Sequence, residues 1–105
     1  MSGGVSDLGR FAEPSLHILV SLSGGPKHGY VIMTDVEAIT GSPMGPGTLY
    51  GALARLEQRG LIEALEPVDR RRPYKLTGLG EATVRAQLER LQAFARTGLA
   101  RIGSG

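Results

Sequence analysis

The chain has 105 residues, of which 41% are hydrophobic and 21% charged, as expected for a single globular domain. It contains no cysteine, which excludes a disulfide framework and a cysteine-based zinc site. No apolar run approaches the length of a membrane span and no secretory signal is evident, so we expect a cytoplasmic protein. Residues 1–45 carry two basic and four acidic side chains, whereas residues 46–105 carry ten and six. This uneven charge suits a polyanionic partner, although a solvated basic surface would give the same counts.

Helical patterns fill the first part of the chain after a predicted leader over residues 1–11. The spacing predicts a first helix over residues 13–23 and a second over residues 28–40, which Gly41 is expected to end. A third helix, predicted over residues 46–59, has the clearest period. Its apolar residues recur at i, i+3, i+4 and i+7, namely Leu49, Ala52, Leu53 and Leu56.

A β-hairpin and a long helix are predicted for the rest of the chain. The strands are expected at residues 61–65 and 73–76, joined by a turn over residues 67–72. Thr77 is expected to cap the last helix, residues 79–102. Three helices, a hairpin and a final helix form a mainly α fold of the winged helix-turn-helix type.

The last helix has a broad apolar stripe, which is typical of a surface buried against a second copy of the chain. We therefore expect a homodimer, with a DNA-binding domain over residues 12–77, a dimerisation helix over residues 78–102 and a tail over residues 103–105. The interface residues expected are Phe11, Val84, Leu88, Leu91, Phe94, Ala95, Leu99 and Ile102.

The third helix is the predicted recognition helix, whose first turns would contact base edges in the major groove. The residues expected there are Gly47, Thr48, Tyr50, Gly51 and Arg55. Thr48 could instead cap the helix, and Arg55 could pair with an acid such as Glu57 or Glu63. His28 and Tyr30, near the start of the second helix, are candidates for phosphate contacts. His28 could equally be a helix cap, and both Tyr30 and Tyr50 could be core aromatics.

The predicted hairpin carries a dense basic cluster. Arg70, Arg71 and Arg72 lie at its tip and Lys75 on its returning strand. Arginines at a hairpin tip suit the minor groove and lysine suits phosphate, although a solvated charged turn is the plainer interpretation. Because the chain has no catalytic motif, no metal-ligand spacing between His17 and His28 and no phosphate-binding loop, we expect no enzyme, metal or cofactor.

Three motifs together resemble the PadR family of transcriptional regulators. The first is LHIL at residues 16–19 followed by GPKHGY at residues 25–30. The second runs from PGTLY at residues 46–50 to GLI at residues 60–62, and the third is RRPYKLT at residues 71–77 with Gly80 beyond it. The resemblance covers about residues 12–82 and depends on three motifs in the right order with the right gaps.

The resemblance implies a winged-helix dimer, usually a repressor, that binds an inverted repeat in double-stranded DNA. It also implies that a small hydrophobic or aromatic effector could release the DNA. The chain departs from the family pattern at Gly45, where Ser is common, and at Asp69-Arg70, where glycine is frequent. Two alternatives stay open: a winged helix that binds only other proteins, and a ligand-sensing or enzyme-like dimer without DNA binding.

Overall fold

The computed structural model describes residues 14–103, which contain four α helices and three short β strands. In chain order the elements are α1 (Pro14–Leu22), β1 (Lys27–His28), α2 (Gly29–Thr40), α3 (Pro46–Gln58), β2 (Ile62–Ala64), β3 (Pro73–Leu76) and α4 (Gly78–Gly103). The predicted fold class, mainly α with a winged helix-turn-helix arrangement, is confirmed.

The core lies between α1, α2 and α3, where Ile18, Ile32 and Leu49 are completely buried. The four apolar residues that predicted α3 from its period are all buried, because a stripe at this spacing faces one side of a helix. The full buried core consists of Ile18, Leu19, Leu22, Ile32, Val36, Leu49, Ala52, Leu53, Leu56, Ile62 and Val84.

The helix ends follow ordinary capping chemistry. Gly41 closes α2 at φ 77°, a left-handed conformation that glycine adopts without a Cβ penalty, and its N–H donates to the Glu37 carbonyl. Gly45 precedes α3 without any side-chain cap. Thr77 caps α4 as predicted, since its Oγ1 accepts from the Gly80 N–H at 3.0 Å. The same hydroxyl donates to the Gly60 carbonyl at 2.6 Å, which ties the start of α4 to the end of α3.

The sheet has three strands in the order β1-β3-β2, all antiparallel, so the hairpin predicted from the sequence gains a third strand. His28 holds the N-cap position of α2, which the sequence proposed for it, in the extended backbone usual at an N-cap. It also pairs with Pro73 in the sheet, but its side chain makes no capping hydrogen bond, which corrects the expected cap. A two-residue strand is too short to show a period in sequence, so β1 was not predicted.

Lys27 fixes the junction between α1 and α2. Its ammonium donates to the Ser21 carbonyl at the end of α1 and lies 4.0 Å from the Asp35 carboxylate on α2. The buried Ser21 hydroxyl donates to the same carboxylate at 2.7 Å. A cation at the carboxyl end of a helix also interacts favourably with the helix dipole. This network holds the first two helices at one relative position.

Only the first turns of α4 pack against the body of the protomer. Gly80 lies so close to the Leu61 carbonyl that a side chain would overlap it, and Val84 is buried in the core. Val84 was predicted for the dimer interface, and the structure corrects this: the residue packs within its own chain. Beyond it the helix is exposed, with Phe94 and Ile102 each 79% exposed. None of the helices described is long and apolar enough to cross a membrane.

Candidate nucleic-acid interface

The exposed face of α3 contains every residue that the sequence assigned to the recognition helix. Burial of the apolar stripe turns the opposite side of the helix to solvent. The residues on that side are Gly47, Thr48, Tyr50, Gly51 and Arg55, all exposed. A short connection over residues 41–45 joins α2 to α3, as in a helix-turn-helix.

Thr48 and Arg55 have no partners within residues 14–103. The Thr48 hydroxyl makes no hydrogen bond there and does not cap α3, whose N-terminus has no side-chain cap. Arg55 forms no ion pair with Glu57 or Glu63 in the same region, and Glu63 pairs with Lys75 instead. The Arg55 guanidinium lies beside Gly51, with Nη1 3.7 Å from the position of a Cβ on that glycine. Both side chains are therefore available to an external partner.

Tyr50 links the recognition helix to the start of α2. Its ring covers Gly29 so closely that a Cβ on Gly29 would lie 2.9 Å from the ring carbon Cζ. The residue nevertheless stays 51% exposed, so Tyr50 both packs against Gly29 and has a surface open to solvent. Tyr30, in the first turn of α2, is 65% exposed and lies outside the core, whereas His28 is half-buried. The sequence interpretation did not identify Gly29 as a contact point between helices.

The wing, defined here as β2, β3 and residues 65–72 between them, ends in a tight turn. Val68 and Arg71 face each other across the tip and exchange two backbone hydrogen bonds of 2.8 and 2.9 Å. Between them Asp69 and Arg70 both adopt positive φ, at 53° and 67°. Two central residues with positive φ define a type I′ turn, which matches the twist of an antiparallel hairpin. The tip thus forms its turn without the expected glycine.

The four basic residues of the wing have different surroundings. Arg72 donates from Nη1 to the Leu65 carbonyl at 2.9 Å. Lys75 lies 3.9 Å from Glu63, its partner in the sheet register, and both side chains are about half exposed. Arg70 and Arg71 are exposed and have no ion pair with any residue in the described range. The structure therefore separates two cations with intramolecular partners from two without.

Tyr74 joins the wing to the body of the domain. Its side chain is partly buried against the core, on a strand that pairs with both β1 and β2. Burial raises the pKa of the Tyr74 phenol above its usual value of 10.0, and the Glu57 carboxylate and Tyr50 phenol raise it further. The same two groups belong to α3, so Tyr74 lies where the wing meets the recognition helix.

A groove of about 940 Å³ lies between α4, the end of α1 and the wing. Its apolar lining includes Leu22, Pro26, Leu76, Leu88 and Leu91, and its charged lining residues include Lys75, Glu81 and Arg85. Phe94 lies further along α4 and does not line the groove, and Phe11, which the sequence assigned to the dimer interface, lies outside the described residues. Within residues 14–103, no cluster of acidic and histidine side chains could hold a metal ion.

Comparison with solved structures identifies close matches in fold. A transcriptional regulator from Clostridium thermocellum matches with a TM-score of 0.73 and 28% identity, over 90% of this chain and 93% of that one. RosR from H. salinarum matches with a TM-score of 0.69 and 25% identity, over 91% and 97% of the two chains. A PadR family transcription regulator from Clostridium difficile gives a TM-score of 0.69 over 83% and 96% of the chains; at 23% identity it shows the fold alone.

Sequence comparison points to the same group of proteins. An uncharacterized 37.1 kDa protein in a transposon of Streptomyces fradiae is 45% identical over 71 residues, which are 68% of this chain. Those residues are only 21% of the relative, so this chain matches about a fifth of that protein's length. The model of the transcriptional regulator PadR-like family matches residues 18–86. That match covers well over half of this chain, and the chain therefore belongs to the PadR-like family of transcriptional regulators.

Proposed function

We propose that this protein is a sequence-specific DNA-binding repressor that acts as a homodimer on an inverted-repeat operator. The observation that carries the proposal is the exposed face of α3, where Thr48 and Arg55 have no partner within residues 14–103. An α helix fits the major groove, and the N-terminal residues of a recognition helix contact base edges there. The repressor role follows from the family resemblance.

In this proposal Arg55 and Thr48 on α3 each have a defined type of contact with DNA. The Arg55 guanidinium is suited to the O6 and N7 atoms of guanine, and the Thr48 hydroxyl to a base edge or a phosphate. Gly47 and Gly51 leave the backbone open to close approach. The wing adds Arg70 and Arg71, whose charges suit phosphates and the negative potential of the minor groove.

A homodimer would place two copies of α3 on one side of the DNA. The distal part of α4 exposes Phe94, Leu99 and Ile102, each at least 70% exposed in the single chain. Such a surface supports association with a second copy, because contiguous exposed apolar residues usually mark an interface. Two-fold symmetry in the protein would match an inverted repeat with half-sites about 34 Å apart.

The groove beside α4 supports release of DNA by a small hydrophobic or aromatic effector. Its volume of about 940 Å³ lies in the range of small-molecule sites, which are mostly apolar with a few polar groups. Its walls include Leu76 of β3 as well as Leu88 of α4. A ligand in the groove would therefore contact both the wing and the dimerisation helix.

The proposal is tested by fluorescence anisotropy, with purified protein titrated onto DNA from upstream of its own gene and onto random DNA of equal length. We expect saturable binding of two chains per site, with a specificity ratio of about 10³ or more. The affinity should fall steeply with salt, because bound cations displace counterions from the phosphates. Equal affinity for both DNAs would contradict sequence-specific recognition of this site, and no binding at any salt would favour a protein-interaction module.

A further inference from the structure

The two wing arginines nearest β3 differ in what their side chains can reach, although they are adjacent in sequence. We propose that Arg72 is a positioning residue, which braces the wing so that Arg70 and Arg71 meet DNA, and does not itself bind DNA. This inference depends on the proposed DNA-binding function. The sequence alone gave all the basic residues of the wing the same role, namely DNA contact, whereas the structure points to two different roles.

The hydrogen bond from Arg72 spans the part of the wing that has few others. β2 ends at Ala64 and β3 begins at Pro73, so residues 65–72 lie beyond the regular ladder. Within this stretch the backbone pairs only at its base, where the Leu65 N–H donates to the Pro73 carbonyl, and at its tip. The Arg72 guanidinium adds a bond to the Leu65 carbonyl at 2.9 Å. The two bonds at Leu65 together fix the base of the extension.

The electrostatics at Tyr74 agree with this position of the Arg72 guanidinium near the base of the extension. The Arg72 charge lowers the pKa of the Tyr74 phenol, against the larger opposing effects of burial and of Glu57. A cation influences a phenol in this way only when the two groups are close. The hydrogen bond therefore keeps the guanidinium next to Leu65 and within electrostatic range of Tyr74, while the Arg72 side chain as a whole stays exposed.

Arg70 and Arg71 differ from Arg72 in having no such hydrogen bond within the described part of the chain. Arg70 is a central residue of the type I′ turn and Arg71 closes that turn opposite Val68, so both lie at the outermost point of the wing. Both are exposed, with no ion pair inside residues 14–103. A fixed turn presents these two charges without a further loss of backbone freedom on binding, which is the advantage of preorganisation.

The two roles differ in how binding depends on salt. A cation that neutralises a phosphate releases a counterion, so its loss reduces the slope of log affinity against log salt by about one. Loss of a brace leaves the phosphate contacts unchanged in the complex, but the wing must then become ordered on binding. We therefore expect Arg72→Ala to lower the affinity about fivefold, the effect of one hydrogen bond, with an unchanged slope.

The test compares Arg70→Ala, Arg71→Ala and Arg72→Ala in binding to one short A·T-rich duplex over a salt series. Arg90→Ala serves as the charge-matched control, since Arg90 is exposed on α4 and does not line the groove. Amide hydrogen exchange at Leu65 is measured for each protein without DNA. We expect faster exchange at Leu65 in Arg72→Ala alone, and a reduced salt slope in the variants at Arg70 and Arg71 alone.

The outcomes separate this inference from the proposed function. If the unmodified protein shows no salt-dependent binding to the duplex, DNA binding itself is refuted. If it binds, and Arg72→Ala reduces the slope by about one while Leu65 exchange is unchanged, Arg72 contacts phosphate and the bracing role is wrong. An unchanged affinity in Arg72→Ala would also refute the bracing role, because the bond would then contribute nothing to binding.

Discussion

Gly47 and Gly51 lie on the exposed face of α3, where a Cβ on either residue would meet no unfavourable contact inside the described chain. By contrast, Gly29 and Gly80 have no room for a side chain, because Tyr50 and the Leu61 carbonyl occupy it. The fold therefore explains the second pair of glycines and not the first. A glycine in a helix is less stable than alanine by about 0.5–1 kcal/mol, so the first pair costs stability.

We expect Gly47→Ala and Gly51→Ala to raise the stability of the protein by up to about 1 kcal/mol. If α3 enters the major groove, the same changes should weaken operator binding about tenfold, since an added methyl in a closely packed contact costs about 1–3 kcal/mol. Thermal unfolding gives the first quantity and anisotropy the second.

Gly78→Ala is the matched control for the change at Gly47. Gly78 lies in the first turn of α4, as Gly47 does in α3, and a Cβ there meets nothing within 4 Å. The control should keep full DNA affinity. Equal affinity in all three variants would show that α3 does not approach DNA closely at these glycines.

The raised pKa of Tyr74 predicts that the protein loses stability at alkaline pH. Its pKa is raised in the folded protein by burial first and then by Glu57, so the folded state retains the phenolic proton more strongly than the unfolded chain. This stabilisation is complete below the unfolded pKa of 10.0. It is lost as the pH rises from there through the higher folded pKa, because the unfolded chain ionises first.

We expect Tyr74→Phe to reduce the dependence of the unfolding free energy on pH above 10, measured by urea denaturation at a series of pH values. Tyr30→Phe removes a phenol that is exposed on α2, and it should retain the loss seen in the unmodified protein. The same alkaline loss in Tyr74→Phe would mean that another group is responsible.

For the candidate site, the sequence could predict which residues of α3 are exposed. The apolar period determines which side of the helix is buried, and Thr48, Gly51 and Arg55 fall on the other side. The partners of Arg72 and Lys75 could not be predicted in the same way. They depend on the register between strands and on the turn at Asp69, which arise from contacts distant in sequence.

At the scale of elements, the four helices and both strands of the hairpin were predicted to within one residue at each described end, and β1 was not predicted. The expected third helix over residues 46–59 agrees with α3 to within one residue at its end, because four buried side chains define its period. β1 was missed, since a two-residue strand exists only through its pairing with β3. That pairing nevertheless couples the wing to the start of α2, through Tyr74 opposite Lys27.

The wing turn stores backbone strain that can be separated from its charge. Arg70 has φ 67°, in the left-handed region that costs a non-glycine residue about 1–2 kcal/mol. Arg70→Gly removes both the strain and the cation, whereas Arg70→Ala removes the cation and keeps most of the strain. We expect both variants to lose about one unit of salt slope in DNA binding.

Thermal unfolding should distinguish these two variants. Arg70→Gly is expected to be more stable than Arg70→Ala by up to about 1 kcal/mol, since glycine is favoured at this position of a type I′ turn. Equal stability would show that the turn relaxes away from positive φ in solution. A difference in salt slope between the variants would show that the turn conformation, and not the charge alone, controls contact with DNA.

At the scale of the whole molecule, α4 is the element whose length is least explained by contacts within one protomer. The described part of the chain extends 55 Å along its longest axis, and of the 26 residues of α4 only Gly80 and Val84 are buried. Most of the stability of a helix in a protein comes from packing of its apolar side, so the exposed stripe of α4 supports the second copy proposed above. The sequence predicted the exposed stripe correctly but assigned Val84 to it, because periodicity cannot show where a helix leaves its own domain.

Phe94 tests whether that partner is a second copy of the chain. It is 79% exposed in the protomer, so Phe94→Glu should leave the stability of the single chain nearly unchanged. In a two-fold interface the change acts twice, and each lost phenylalanine is worth about 2–3 kcal/mol. We expect the dimer dissociation constant to rise at least about a hundredfold in sedimentation equilibrium, with a parallel loss of operator affinity.

Ala93→Glu is the matched control, because it adds the same charge at the neighbouring exposed position, turned away from the stripe formed by Leu91 and Ala95. It should keep both the dimer and the affinity for DNA. Loss of the dimer in both variants would indicate repulsion between charges and not a specific contact at Phe94. A dimer that survives Phe94→Glu would place the interface elsewhere, and the exposed end of α4 would then belong to a different protein partner. If Phe94→Glu yields a monomer that still binds the operator at full affinity, the inverted-repeat hypothesis is wrong, since recognition by a single copy needs no symmetry in the DNA.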